Sequence, residues 1–354
     1  MKKKTLTFVA TALILAMTLS SCAGAAAGLG GFDVDSLGYG GVNKLSASSC
    51  ENGHSFGNWT TYKEATVVSK AVERRTCANC AAYEEREVGG LVTFESANEL
   101  HTFTNIYSDN YANYDNTYGE ALRSGQGGCY NGEYFYQAFV NVNDTLGVVA
   151  KVNTTTGAVV YSTARDLGHA NDMTYNSKTN EIIVIKASAK KAVIFDADTL
   201  AYKREQDLPV TATGISYNAH NDTYVLFNGG ILFLYVVDST FSTITSWSPS
   251  AIAKPTGYSS QGIFSDENYI YNLYYQDVDG VTNTLDYKAY VQVRDYNFNL
   301  INTFEIGLDQ GFHEAESISI VDGKAYIGAA QLYLYSSGIL RPYADFTIYE
   351  FDMQ

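Results

Sequence analysis

The sequence predicts an all-β protein in which a five-bladed β-propeller follows a small metal-stabilised β-hairpin module. Residues 169–204 contain four short β-type segments separated by turn residues, as expected for one four-stranded blade. Corresponding segments begin at residues 126, 169, 213, 261 and 314, with separations of 43, 44, 48 and 53 residues. Upstream of them, one His and three Cys have metal-ligand spacing.

The chain begins with Lys2, Lys3 and Lys4, an apolar stretch at residues 5–18, and then Leu-Ser-Ser-Cys ending at Cys22. This pattern resembles the bacterial lipoprotein signal. The resemblance implies that residues 1–21 are a signal peptide and that Cys22 becomes a lipidated (palmitate-type) mature N-terminus. It further implies an extracytoplasmic protein anchored to the bacterial cell membrane through its lipid.

Residues 22–49 are predicted to be a flexible, lipid-anchored tether. The stretch 23–49 has seven Gly and almost no apolar periodicity, so it cannot bury enough surface to fold alone. The charge of the chain also restricts its partners. The formal net charge is −15, and it becomes −18 without the three leader lysines. Such an acidic chain disfavours nucleic acid and leaves cations or neutral glycans as partners.

Residues 50–90 contain a Cys-x3-His pair and a Cys-x2-Cys pair, which are the predicted metal ligands Cys50, His54, Cys77 and Cys80. Three thiolates and one imidazole suit tetrahedral Zn²⁺, which would stabilise a segment too small to have a core. The site would be structural, because protein fills all four positions. Phe56, Trp59 and Tyr62 are predicted to cover it.

The same segment resembles a short zinc-ribbon-like repeat of Gram-positive surface proteins, with C-x3-H, a Trp, K-E-A-T, R-x-C-x2-C and a Glu-rich strand. It departs from that repeat at Val67, where many copies carry Cys, and at Ala81, where Gly is common. The alternative to zinc is a disulfide, since an extracytoplasmic chain could pair Cys77 with Cys80 or Cys50. That alternative leaves an odd thiol, because Cys129 falls in a propeller strand.

Residues 91–354 are predicted to form the propeller. The fifth blade shows only three strands before the chain stops, so its fourth strand should come from residues 91–94 or 100–106 and close the ring. An alternative count of six blades assigns residues 91–124 to another sheet. The general resemblance is to the broad gluconolactonase and lactonase-like group of extracytoplasmic propellers, and it carries over no catalytic residue.

The start of each inner strand lies beside the channel of a propeller, so polar residues there are candidates for a site at the channel mouth. Strand alternation places His169 with Asn171, and Glu314 with Glu316, on common faces. Thr213 occupies the matching position in blade three. The candidates are Gln126, His169, Asn171, Asp172, Gln261, His313, Glu314 and Glu316.

Three interpretations of this ring remain open. The residues could simply hydrogen-bond neighbouring strands. They could bind a glycan or cell-wall component together with the insertions 276–287 and 331–345, and the side chains stacking on it would be Tyr274, Tyr275, Tyr287, Tyr333 and Tyr335. Or a divalent cation such as Ca²⁺ on Glu314, Glu316, Asn171 and Asp172, with a His base, could hydrolyse a lactone, ester or glycoside. The sequence favours binding, with metal-dependent hydrolysis as the alternative.

Overall fold

The computed structural model is all-β and consists of six four-stranded antiparallel sheets. It describes residues 43–44, 50, 53–65, 69–80, 82–89, 94–103, 122–141, 143–187, 189–229, 232–247, 258–277, 287–308, 312–334 and 340–353. The predicted signal segment, Cys22 and most of the predicted tether lie outside these ranges. A search of the described ranges for a helix able to span a membrane finds none.

The first sheet is the N-terminal module. Its strands are β1 (Asn43–Lys44), β2 (Thr60–Lys63), β3 (Ala71–Thr76) and β4 (Tyr83–Val88), in the order β1-β4-β3-β2. Strand β1 lies inside the segment for which the sequence predicts a flexible tether, and it pairs with Glu84 and Glu85 of β4.

Opposite charges face each other along the central pair of strands in this module. Arg86 bonds Glu73 at 2.7 Å and Arg74 bonds Glu85 at 2.5 Å. Arg75 pairs with Glu84, also at 2.5 Å. Since directly opposed residues on neighbouring strands are close enough to interact, this charge ladder sets the register of a sheet that has little apolar core.

The other five sheets are propeller blades. Blade one contains β6 (Leu122–Tyr130), β7 (Tyr134–Asn141), β8 (Gly147–Asn153) and β9 (Val159–Tyr161). Blade two contains β10 (Met173–Asn176), β11 (Glu181–Lys186), β12 (Lys191–Asp196) and β13 (Tyr202–Asp207). Blade three contains β14 (Gly214–Asn218), β15 (Thr223–Asn228), β16 (Phe233–Asp238) and β17 (Thr243–Trp247). Blade four contains β18 (Tyr258–Ser265), β19 (Tyr269–Asp277), β20 (Tyr287–Asp295) and β21 (Leu300–Ile306). Blade five contains β22 (Phe312–Val321), β23 (Lys324–Leu334), β24 (Leu340–Met353) and β5 (Phe94–Phe103).

The first strands of the five blades contact one another in a closed ring, β6-β10-β14-β18-β22 and back to β6. Hydroxyl side chains join several of these neighbours. The Tyr217 amide donates to Thr174 Oγ1 at 2.9 Å, and the Ser265 amide donates to Ser216 Oγ at 2.7 Å. The Tyr130 amide donates to Ser319 Oγ at 3.1 Å, which links blade one to blade five. The predicted β-propeller fold is therefore confirmed.

The middle strands of each blade are apolar on both faces because each blade is sandwiched between two others. In β11, Ile182 packs into a cluster shared with blade one, and Ile183 packs into a cluster shared with blade three. Both side chains are buried. This explains why the residues between Glu181 and Lys186 are all apolar and do not alternate with polar residues.

Asn and Asp side chains organise the turns at equivalent places in successive blades. The third strands of blades one to four end at Asn153, Asp196, Asp238 and Asp295, and each side chain accepts bonds from amides two to four residues ahead. Such local bonds fix a turn. Among the described residues blade five has no such turn, because its fourth strand, Phe94–Phe103, precedes blade one in the chain.

Strand β5 closes the ring as predicted. It pairs with β24 from Phe94 opposite Met353 to Phe103 opposite Phe346. Thr102 and Thr347 share a hydroxyl hydrogen bond of 3.0 Å across this pair. The described part of residues 91–124 supplies this closing strand and the start of β6.

The two predicted insertions begin as extensions of hairpins. Strands β19 and β20 remain paired as far as Asp277 opposite Tyr287, and β23 and β24 as far as Leu334 opposite Leu340. Residues 278–286 and 335–339 lie outside the described ranges.

Candidate functional site

The first candidate site is the Cys/His cluster of the module. The ligand atoms of Cys50, His54, Cys77 and Cys80 all lie within 4.8 Å of one another. Cys50 Sγ is 3.7 Å from Cys77 Sγ, and Cys80 Sγ is 3.4 Å from His54 Nδ1. This arrangement could hold a metal ion, since the four atoms can surround one centre.

Backbone amides point at two of the sulfurs. The amides of Ser55 and Asn79 donate to Cys77 Sγ, and the amide of Ala82 donates to Cys80 Sγ, each at 3.4 Å. The bond from Asn79 is the main reason that the pKa of Cys77 falls to about 6. Hydrogen bonding to Cys80 raises the pKa of Cys50 to about 12. Amide donors stabilise thiolates, which are the form that binds metal.

The four cysteines among the described residues are free thiols, so none of the predicted disulfide alternatives is formed. A disulfide requires sulfurs about 2.05 Å apart, well below the separation of Cys50 and Cys77. Phe56 stacks on His54 with ring centroids 5.4 Å apart, as expected for a cover. Trp59 instead packs against Arg75 and Arg86, and Tyr62 packs against Arg74. These two aromatic side chains therefore support the charge ladder and not the metal cluster.

The second candidate site is the channel ring. Three inner strands carry an irregularity in their pairing at the same level: β6 between Gly125 and Gly128, β18 between Ser260 and Ile263, and β22 between Ala315 and Ser317. Bulges redirect side chains, and they are frequent beside functional sites. The residues displaced in this way include three of the predicted channel candidates, Gln126, Gln261 and Glu316, and all three are buried.

Asp172 joins three blades. Its Oδ2 accepts the amides of Ile215 at 2.9 Å and Ile263 at 3.1 Å, and its Oδ1 accepts the amide of Met173 at 2.9 Å. The side chain is 1% exposed. Burial raises the pKa of Asp172 well above its usual range, and the three amide bonds oppose that rise. Asp172 therefore fastens inner strands together, as in the first interpretation of the ring.

A carboxyl pair lies where blades four and five meet. Gln261 Nε2 donates to Glu314 Oε1 at 2.8 Å, and Tyr275 also hydrogen-bonds Glu314. Glu316 is 2% exposed, and its carboxyl lies near enough to Glu314 and Tyr275 to interact electrostatically. Burial, followed by the charge of Glu314, raises the pKa of Glu316 well above its usual range. This group, which we call the carboxyl pair site, contains Gln261, Tyr275, Glu314 and Glu316.

Other predicted candidates lie elsewhere. His169 is in a turn before β10, where it pairs with Asp144 at 2.9 Å and is 42% exposed. Strand alternation cannot place His169 with Asn171, because residues 169–172 are not part of a strand. His313 lies in β22, but its side chain is outside what the structure describes.

The structure also bears on the residues named in the ligand-binding and divalent-cation interpretations of the channel ring. Tyr274 is fully buried, so it cannot stack on a ligand, whereas Tyr275 is only partly buried. The side chains of Tyr287, Tyr333 and Tyr335 lie outside the described set. Among the described residues, the Cys/His cluster brings together enough side chains to hold a metal ion. Asp172, Glu314 and Glu316 do not form a second cluster of this kind there.

Known proteins add only a likeness in fold. No protein-family model matches the chain, and no curated protein matches it in sequence. Among solved structures it is similar to the glutaminyl cyclase of Myxococcus xanthus, at 10% identity and a TM-score of 0.45, covering 73% of this chain and 97% of that one. It is also similar to the hydrazine synthase of Kuenenia stuttgartiensis, at 12% identity and a TM-score of 0.36, covering 62% of each chain. The Cps50 (Swd1) β-propeller domain of Myceliophteria thermophila is similar at 10% identity and a TM-score of 0.34, covering 62% of this chain and 68% of that one. Likenesses this weak carry no argument about chemistry, and the propeller here rests on the chain's own strand pairing.

Proposed function

We propose that this protein is a cell-surface lipoprotein whose propeller binds a polyhydroxylated extracellular ligand, a glycan or a cell-wall component, at the carboxyl pair site. The observation that carries the proposal is the pair of neighbouring carboxyls, in which Glu316 is 2% exposed and lies beside Glu314. Burial of two carboxyls close together is costly, so a ligand that supplies hydrogen-bond donors to them is favoured.

The chemistry around Glu316 suits hydroxyl groups. Glu314 and Glu316 offer acceptors, while the amide of Gln261 and the phenol of Tyr275 offer both donors and acceptors. Sugar hydroxyls can donate and accept in turn, so one ring could satisfy several of these groups. The net charge of −15 also favours a neutral ligand over an anionic one at this place.

A glycan array followed by calorimetry tests this function. Glu316→Ala should lower affinity for any ligand found by about tenfold or more, since a charged or proton-sharing hydrogen bond contributes about 1.5–3 kcal/mol. Glu267→Ala is the matched control, because Glu267 is 58% exposed and pairs with His220 at 3.4 Å. Absence of binding to glycans and to isolated cell walls would contradict the proposal, as would equal affinity in the two variants.

Hydrolysis of a glycoside, ester or lactone is the second candidate, and the same pair favours it. Because burial raises the pKa of Glu316 while Glu314 is held by Gln261, the two could serve as acid and base. A large loss of turnover in Glu316→Gln, with the alkaline limb absent from the rate profile of the residual activity, would support catalysis. The metal-dependent form further requires that a chelator abolish turnover.

We further propose that the Cys/His cluster binds structural zinc. Its support is the donor set of three sulfurs and one imidazole nitrogen, which zinc prefers in tetrahedral sites. Elemental analysis of the whole protein, purified reduced and without chelator, should find about one zinc per chain. Cys77→Ser should lose it, whereas Cys129→Ser should keep it because Cys129 lies in blade one.

The lipid anchor remains a proposal from the sequence. Wild-type protein should fractionate with membranes and take up labelled palmitate, and Cys22→Ala should do neither. Release of the Cys22→Ala variant into the medium would support an extracytoplasmic location. A wild-type protein found in the soluble cytoplasmic fraction would contradict both proposals.

A further inference from the structure

Unpartnered buried polar atoms are concentrated at one blade contact. Eight buried side-chain nitrogen or oxygen atoms of the described residues have no hydrogen-bond partner, and six of them lie on blade four or on the tryptophan of blade three that packs against it. These six atoms are Trp247 Nε1, Ser260 Oγ, Asn272 Nδ2, Asn272 Oδ1, Tyr274 OH and Arg294 Nε.

Four of the residues concerned share the face of blade four that is turned toward blade three. Ile270 of that face packs in a cluster with Val225 and Phe227 of blade three. Because side chains alternate along a strand, Asn272 and Tyr274 lie on the same face as Ile270. Ser260 is directly opposite Tyr274, and Arg294 is directly opposite Ile270. We call this set, with Trp247, the blade-four wall.

The wall is separate from the carboxyl pair site. Tyr271 and Leu273, which alternate with the wall residues on β19, pack against Ala315 and Ile318 of blade five. Tyr275 belongs to that opposite face and contacts Glu314. The two sites are therefore on opposite sides of the same sheet.

Charge distinguishes the wall from an ordinary polar contact. Arg294 is 1% exposed, and its guanidinium donates to Phe298 O at 3.1 Å and Gln292 Oε1 at 3.0 Å, which are both neutral. No described carboxylate forms an ion pair with it. A buried guanidinium stays protonated, and a buried charge without a counter-charge is strongly unfavourable.

The unpartnered atoms around this charge are mainly donors. Arg294 Nε, Trp247 Nε1 and Asn272 Nδ2 can only donate, and the hydroxyls of Ser260 and Tyr274 can donate as well. Burial raises the pKa of Tyr274 to about 12, so its phenol keeps its proton. Trp247 is brought to the wall by Phe298, with ring centroids 4.9 Å apart. Tyr274 and Arg294 are near enough to interact electrostatically.

We propose that the blade-four wall binds a small monovalent carboxylate, whose charge complements Arg294 and whose oxygens accept from Asn272 and Tyr274. The planar fork of a guanidinium can donate two parallel hydrogen bonds to a carboxylate, which a spherical anion cannot accept in that way. The ligand would be enclosed between blades three and four and would stabilise the contact between them. This inference is independent of the carboxyl pair site and of its ligand.

Thermal melts of the whole mature chain test the inference, with formate and acetate as probes. Both should raise the melting temperature with saturation, because a ligand that binds only the folded state stabilises it. Chloride at matched ionic strength should raise it less. Equal responses to formate, acetate and chloride, or no response, would overturn the inference.

Two variants locate the effect. Arg294→Met should require at least about tenfold more formate for the same shift, since it removes charged hydrogen bonds. Arg165→Met is the matched control, because Arg165 also has a buried unpartnered Nε but stacks on Tyr202 at 3.4 Å, away from the wall. An undiminished response in Arg294→Met would refute the site.

Tyr274→Phe serves if Arg294→Met does not fold, because it removes only a hydroxyl and keeps the ring. It should weaken the formate response severalfold without loss of secondary structure. A crystal structure of the protein grown in formate gives an independent readout. Carboxylate density against Asn272 and Arg294 is the expected result, and water alone in that place would overturn the proposal.

Discussion

Replacing Asp172 by Ala should destabilise the propeller strongly, because one side chain serves three blades. The change removes the acceptor of the Ile215 and Ile263 amides, which belong to strands β14 and β18. Each buried amide left without a partner costs about 1–3 kcal/mol, so we expect a loss of roughly 2–6 kcal/mol. Asp172→Asn keeps one acceptor oxygen and should cost roughly half as much.

Thermal and urea denaturation of the mature chain measure this effect. At about 2–4 °C per kcal/mol for a domain of this class, the melting temperature of Asp172→Ala should fall by roughly 5–20 °C. Asp207→Ala is the control, since the side chain of Asp207 is 87% exposed and its contact with Lys191 is 3.8 Å long. A shift in Asp172→Ala no larger than in this control would refute the bridging role of the carboxylate.

Three further predictions concern the channel and the closing strand. Burial raises the pKa of Glu316, so the contribution of its protonated form to stability should be complete below the unfolded pKa of about 4.3 and should be lost as pH rises through the folded pKa. In thermal melts from pH 4 to 9, the wild type should therefore lose stability relative to Glu316→Gln. A difference between the two that does not change with pH would contradict this. Gly127→Ala should lower the free energy of unfolding, measured by urea titration, by about 1–3 kcal/mol, because the added Cβ would lie 2.2 Å from Asp172 Cα. Gly307→Ala is the control and should be nearly neutral, because an added Cβ there has nothing within 4 Å. Deleting Phe94–Phe103 should expose the edge of β24 and cause aggregation in size-exclusion chromatography, while a chain of residues 91–354 stays monomeric.

The repeat pattern was enough to predict the blades, because each blade carries its own turn residues and apolar runs. Asn153 and Asp196 end equivalent strands, and the separation of the inner strands follows from one unit of four strands. The missing fourth strand of blade five was also predictable, since a propeller cannot leave that edge open. The ligand spacing of Cys50, His54, Cys77 and Cys80 was local, so these four residues could be grouped without a structure.

The channel candidates were harder to group, because their positions depend on bulges. Gln261 and Glu316 are redirected where β18 and β22 lose their regular pairing, and period-two alternation does not apply there. The same reasoning failed for His169, which precedes its strand and pairs with Asp144 on the surface. A turn places a side chain by its own geometry, which the alternation of a strand cannot predict.

The sequence by itself determined the elements that depend on neighbours in the chain: the strands and turns of each blade, and the grouping of the four residues of the Cys/His cluster. Only the tertiary structure decided which polar residues meet across blades. Asp172 reaches amides 43 and 91 residues away, and Glu314 is joined to Gln261 53 residues before it. Likewise, Arg294 and Asn272 look like ordinary alternating strand residues until blade three covers them. Contacts between blades depend on the twist and closure of the whole ring, and no local pattern in the chain encodes those distances.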